Sequence, residues 1–403
     1  MKKLFALALC FAAVGTMSAQ KSVVDQAQKL AGKSDKIAEA RTLIEQAKNN
    51  PETANDVQTY YVAGKIEFDA YDDALKKQMI NPNDESVKPL EMAQQLVNGY
   101  KAFTRALPLD SVVDAKGKVK AKYSKDMIGK LNGHFNDYFN AGGTFYNEKK
   151  YYPEAYEAFM IYGDMSKAPY ATKAMQAIPD SVINTAYFNA GLSAYAGNAL
   201  KESAAAFKKA RLNNSDNAQN FIYEIACWQF IAGNDSTMEK TAAREIEEVA
   251  RAGKDKFGMA QPIFMNNLIN SLVLENRIGE AVSLITEEMA KNHDNAALYG
   301  LRGYVLDRKG DDAASVADYR KAAEMPGVDF ETLKNASKKI FKTGTEIWNT
   351  IEGPQAEKRN DVKVNYFEAA KKIAEKAKSI KSDDSDIDYI LENINYALET
   401  YFN

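Results

Sequence analysis

The sequence predicts an all-α fold, and three observations predict it. Small and aromatic residues recur at helical spacing in several copies. The ten prolines and the clusters of Asn, Asp and Gly fall between the candidate helices, and no series of β-hairpin patterns occurs. Of the 403 residues, 45% are hydrophobic and 27% charged, the ordinary balance of a folded protein. That length would usually suggest two or three domains, but a repeat array can run the whole chain as one.

The clearest copy holds Phe139, Gly142, Gly143, Tyr146, Ala155, Phe159 and Tyr162, at offsets 0, 3, 4, 7, 16, 20 and 23. Tyr187, Ala190, Gly191, Ala194, Ser203, Phe207 and Ala210 repeat those offsets. So do Tyr299, Arg302, Gly303, Leu306, Ser315, Tyr319 and Ala322, with Arg302 where an apolar residue is usual. A small residue where helices cross lets their backbones approach, and the aromatic beside it fills the gap. This spacing resembles the tetratricopeptide repeat, a pair of antiparallel helices of about 34 residues. The resemblance implies a right-handed α-solenoid of stacked helix hairpins, a superhelix whose concave face holds protein or peptide partners.

Two weaker copies lie between these. One has Tyr223, Ala226, Cys227 and Phe230, followed by a second helix near 240–251 without the expected aromatic. The other has Met265, Leu268, Ile269, Leu272, Ala281 and Ile285. Anchors 139, 187, 223, 265 and 299 are spaced by 48, 36, 42 and 34 residues, so longer helices or loops are expected near 169–180 and 253–261. Upstream, Ala40, Ile44 and Ala47 read as a second helix closed by Pro51. Tyr60, Ala63 and Gly64 open the next pair, whose second helix is expected at 90–107. Downstream, 331–351 and 366–380 form a pair across a polar loop at 352–365. Residues 382–386 offer N-caps for a last, covering helix at 387–402. The expected organisation is a signal peptide at 1–19, degenerate hairpins at 20–110, a lysine-rich insertion at 111–130, the core array at 131–325, and a degenerate hairpin with capping helix at 326–403.

Export is read from the N-terminus. Lys2 and Lys3 precede an apolar run, 4–14, too short to span a bilayer, and Met17-Ser18-Ala19 suits cleavage before Gln20. The expected destination is the periplasm of a Gram-negative cell, with outer-membrane association or secretion as alternatives. Cys10 invites lipidation, but Leu9 stands where a small residue is required, so an ordinary residue of the leader is the preferred reading. Cleavage leaves Cys227 alone, so no internal disulfide forms, and its place at a helix crossing marks a buried small residue rather than a nucleophile. Net charge is −3, and loss of Lys2 and Lys3 takes it to −5, which argues against a nucleic-acid partner. No further apolar run is long enough for a transmembrane segment.

Chemical motifs fail on inspection. Gly32-Lys33-Ser34 ends like a phosphate loop, but Ala27 stands where that loop needs glycine. Asp384, Asp386 and Asp388 have calcium-loop spacing, yet Tyr389 and Asn395 occupy the glycine and glutamate positions, so helix capping is preferred. His134 and His293 lack metal-ligand spacing, and no serine elbow occurs. No cofactor or metal is expected. Lys116, Lys118, Lys120, Lys122 and Lys125, within 114–126, suggest a short hairpin or extended loop. It is either a solvated insertion or, less favoured, a docking arm for an acidic partner.

The resemblance places the binding groove on the first helix of each pair, at positions one, two, five and eight after the anchor. These are Asn140, Thr144, Asn147, Asn189, Leu192, Tyr195, Trp228, Asn267, Asn270 and Tyr304, with Phe188, Glu224, Asn266 and Asp307 at the same offsets, and Arg308 is added one place past the last of them. Asn amides donate to and accept from a peptide backbone together, and Tyr and Trp add rigid contact area. The same residues also suit bonding between neighbouring helices. Some relatives clamp a terminal carboxylate with groove lysines and arginines, and the neutral Asn140, Thr144, Asn189 and Asn267 depart from that pattern. The expected function is a non-enzymatic scaffold or adaptor of the envelope. The alternatives are a carboxylate-based enzyme in the groove, and a solenoid that self-associates through its ends.

Overall fold

The computed structural model describes residues 21–110, 121–353 and 355–402. The expected leader, with Cys10, lies outside the described residues, as do Lys116, Lys118 and Lys120. Every regular element among the described residues is helical. The chain divides into two compact units, Met1–Ala242 and Ala243–Asn403.

The first unit holds α1 (21–31), α2 (Ile37–Lys48), α3 (Val57–Ile80), α4 (Pro89–Asp110), α5 (Ser124–Gly133), α6 (Asp137–Asn147) and α7 (Tyr152–Met165). After the single turn α8 (Lys173–Gln176) come α9 (Asp180–Ala196), α10 (Leu200–Leu212) and α11 (Ala218–Asn234). Sequence neighbours pack in order, α3 on α4, α4 on α6, α6 on α7, α7 on α9, and α9, α10 and α11 in turn. Helix α12 (Glu239–Phe257) runs through the division between the units. The second unit continues with α13 (Pro262–Leu274), α14 (Ile278–Lys291), α15 (Ala296–Lys309), α16 (Asp312–Glu324), α17 (Phe330–Asn349), α18 (Ala356–Val362), α19 (Ala369–Ile380) and α20 (Ser385–Phe402), again packed in succession.

Local sequence sets the helix ends. Side chains of Asp56, Asn217, Asn295, Asp311 and Asp329 accept hydrogen bonds from backbone N–H groups of the turns that follow them. These donors have no partner inside a helix. Gly310, at φ 80°, closes α15 in the left-handed conformation. Asp384 accepts from the N–H of Ile387 at 3.2 Å, so the aspartate run caps α20 as expected.

The repeated small-residue and aromatic pairs are the helix crossings. A Cβ on Gly142 would come within 2.7 Å of Phe159, on Gly191 within 2.6 Å of Phe207, and on Gly303 within 3.1 Å of Tyr319. Gly64 meets Phe103 in the same way across α3 and α4. Two serines add a latch at equal register. Ser203 donates to the Gly191 carbonyl at 2.8 Å, and Ser315 to the Gly303 carbonyl at 2.8 Å. Phe207 is fully buried, and each such aromatic contributes about 1.5–3 kcal/mol of apolar burial.

Arg302, the departure from the repeat pattern, points across to α16 and donates two bonds to Asp318 at 2.6 and 2.8 Å. The expected polar loop at 352–365 is a correction. The second helix of that pair already starts at Ala356 and passes through a π-helical stretch, Lys363–Glu368, into α19. Arg320 of α16 donates to the Asn365 carbonyl within that stretch, where the widened turn disturbs the usual backbone pairing. Around the lysine-rich segment, Ser124–Asp126 begin α5 rather than continuing a loop. Asp110 accepts from the N–H groups of Lys122, Tyr123 and Ser124 at 3.0, 2.8 and 2.6 Å.

Candidate functional site

In the first unit the first helices of successive pairs lie side by side, α6 against α9. On α6, Asn140 and Asn147 are exposed, and Thr144 spends its hydroxyl on the Asn140 carbonyl at 3.1 Å. On α9, Asn189 is half-buried, and its carbonyl accepts from Ser193 at 2.7 Å. Leu192 and Trp228 are half-buried against a cluster of Ala204, Phe207 and Cys227. Both therefore support the crossing as much as they line a surface. The indole Nε1 of Trp228 is buried without a hydrogen-bond partner among the described residues.

Tyr195 stays 37% exposed and meets Phe230 of α11, which is 52% exposed, with ring centroids 6.2 Å apart. Tyr223 continues the strip, 6.4 Å from Tyr195 and 6.0 Å from Phe188. The result is an open ladder of aromatic rings across two first helices. Phe230 holds the offset of Tyr146 in the first copy, which marks it in the sequence as a crossing residue. Tyr146 is itself 39% exposed and sits edge-on to Tyr152 at 5.6 Å. These two copies turn the offset outward, whereas Ala194, Leu272 and Leu306 bury it in the others, so the offset alone carries no signal for Phe230.

Glu224 is a correction. It does not face a groove. It is fully buried and takes two bonds from the buried Arg211 at 2.8 and 3.1 Å. A buried carboxylate needs such a partner, because desolvating a lone charge is costly.

In the second unit, α13 lies against α15 and α15 against α17. Asn270 is exposed, and Asn267 is half-buried with its amide donating to the Ile263 carbonyl at 2.8 Å. The guanidinium of Arg308 lies 5.7 Å over the ring of Tyr304, a cation–π contact that holds both side chains. Asp307 is not free for a ligand. With Asp312 it pins the buried Lys339 at 2.5 Å each. Burial lowers the proton affinity of Lys339, and the two aspartates more than reverse it, holding it above the usual lysine range.

Glu247 and Glu280 are bound by arginine. Burial works to raise Glu247, yet Arg251 and Arg277, each at 2.7 Å, hold it below the usual range. Arg277 and Arg251 lower Glu280 likewise. Cys227 is buried as expected, and burial pushes its thiol up while a hydrogen bond with Ser203 at 3.3 Å opposes the shift. His134 bridges Asp72 at 3.1 Å and Asp137 at 3.0 Å, which ties α3 to the start of α6.

No family model matches the chain, and no curated protein matches its sequence. Among solved structures, the crystal structure of yeast Tom70 aligns with a TM-score of 0.31 at 11% identity, over 95% of this chain and 89% of that one. The TPR domain of P58(IPK) aligns with a TM-score of 0.27 at 12% identity, over 96% and 99%. The TPR2AB-domain:pHSP90 complex of yeast Sti1 gives 0.22 at 14% identity, over 81% and 98%. Scores of this size carry no argument, and the fold rests on the crossings and latches described above.

Proposed function

We propose that the chain is a non-enzymatic scaffold or adaptor that is exported to the cell envelope and binds a protein or peptide on the first-helix face of its first unit. The observation that carries this reading is the ladder of exposed Tyr195 and Phe230 with half-buried Tyr223, on α9 and α11, together with the exposed Asn140 and Asn147 of the neighbouring α6. Rigid aromatics give large contact area at small entropic cost, and neighbouring amides bond an extended backbone. The face is neutral, so it favours an uncharged or apolar segment over an acidic tail. The charged start and apolar run of residues 1–19 support export.

A photo-crosslinking residue in place of Phe230, in the native envelope, tests the reading. The expected result is capture of a defined protein, lost in a chain that also carries Tyr195→Ala. Capture that survives this change would move the binding site off the ladder. Crosslinks between copies of the chain alone would replace the adaptor with a self-associating solenoid.

A further inference from the structure

The second unit ends in a cleft of about 700 Å³ between α17 and α20. Lys334, Lys338 and Lys342 stand along its α17 wall, Tyr389 and Asn393 along its α20 wall, and Phe341 and Ile390 are apolar lining between them. Their spacing of four residues puts the three lysines on one helix face over about 12 Å. The expected role of α20 is to cover the end of the array, and a cover should present a polar outer face. Instead Tyr389 and Tyr396, seven residues apart on one face, are each 67% exposed.

The charges along the cleft are not equivalent. Lys334 has acidic neighbours at its end, Asp384 at 3.7 Å and Asp386 at 3.8 Å. Lys342 has a loose pairing with Glu346 at 3.7 Å. Lys338, midway, is exposed and has no ion pair among the described residues. In an acidic chain, this leaves one unbalanced cation over an apolar floor, flanked by a tyrosine. We propose that the cleft docks a partner's amphipathic helix of about three turns. Its apolar side chains fill the floor over Phe341 and Ile390, and a side-chain carboxylate on its rim pairs with Lys338 and Lys342. The steering charge belongs to side chains of the guest helix, not to its chain end. This surface is independent of the aromatic ladder on α9 and α11.

The test selects random helix-forming peptides of about 15 residues, roughly four turns, displayed against the full chain. Winners are then made with amidated C-termini and titrated by fluorescence anisotropy. Selected peptides should carry Asp or Glu beside Leu, Ile or Phe at helical spacing. They should bind K338E/K342E about tenfold more weakly, lose affinity with added salt, and bind Tyr195→Ala/Phe230→Ala unchanged. Tyr389→Ser should weaken the same peptides without altering the salt response, and circular dichroism should show each variant as helical as the parent. Winners without acidic bias, or unaffected by K338E/K342E, overturn the proposal. So does a parent chain that sediments as a dimer while K338E/K342E is a monomer, because the occupant is then a second copy.

Discussion

The α9–α10 pair and the α15–α16 pair carry the same frame at the same offsets but place their charges differently. Both cross at a glycine latched by a serine at 2.8 Å. In the first pair the crossing is apolar, and the ion pair sits beyond it, between Arg211 and Glu224, with side chains only 6% and 0% exposed. In the second pair the ion pair enters the crossing itself. Arg302 takes the place held by Ala190, and Arg302 and Asp318 keep 25% and 10% exposure. The repeat therefore fixes the backbone approach and leaves its flanks free to be apolar or charged, provided a charge finds a partner.

The largest expected effect separates the two ion pairs. Arg211→Met strands a fully buried carboxylate and should cost about 3–5 kcal/mol. Arg302→Met strands a carboxylate that keeps 10% side-chain exposure, so it should cost less, roughly 2–3 kcal/mol. Urea unfolding of both variants measures the difference. Adding Glu224→Leu to Arg211→Met should restore most of the loss, because the unpaired charge is then gone. Equal costs for the two single changes would erase the distinction drawn from burial.

The next comparison concerns the crossings. A methyl on Gly191 meets the Phe207 ring at 2.6 Å, whereas on Gly303 it meets Tyr319 at 3.1 Å. Gly191→Ala should cost about 1–3 kcal/mol through overpacking. Gly303→Ala should cost less, and its better helix propensity offsets part of that by up to about 1 kcal/mol. Thermal midpoints of the two variants rank them directly.

These crossings were legible because a glycine facing an aromatic ring lets two helices approach closely while the ring fills the gap. The spacing of Gly142, Gly191 and Gly303 with their ring partners could be read from the chain alone. What escaped was chemistry set by the partner rather than by the position. Glu224 holds a groove register, but Arg211, across the α10–α11 turn, draws it inside. The helix at Ala356–Val362 has the sequence AEKRNDV, with too few apolar residues to show a period, and it is carried by the continuous backbone into α19. Phe230 holds an offset that reads as crossing yet turns outward, so the exposed ladder became visible only once α9 and α11 were side by side. The α17–α20 cleft joins residues about 50 positions apart, a distance over which no periodicity speaks.

The smallest effect lies in the latches. Ser203 and Ser315 make the same bond to a glycine carbonyl, so each Ser→Ala change should cost about 1 kcal/mol. They differ in one respect, because the Ser203 hydroxyl also accepts from the Cys227 thiol at 3.3 Å. Burial raises that thiol above its usual range, outweighing the opposing bond with Ser203. Ser203→Ala removes this contact with the thiol, while Ser315→Ala leaves Cys227 untouched. A thiol that holds its proton more tightly when folded adds stability that is fully present below the unfolded value of about 8.5 and fades as pH rises above it. In the native protein Cys227 should therefore react with a thiol reagent at pH 8 only as fast as the chain opens, and the parent and Ser203→Ala should both lose stability above pH 8.5. Prompt labelling of the native parent would show that the crossing of α10 and α11 is open to solvent, and the difference between the two latches would then have no physical basis.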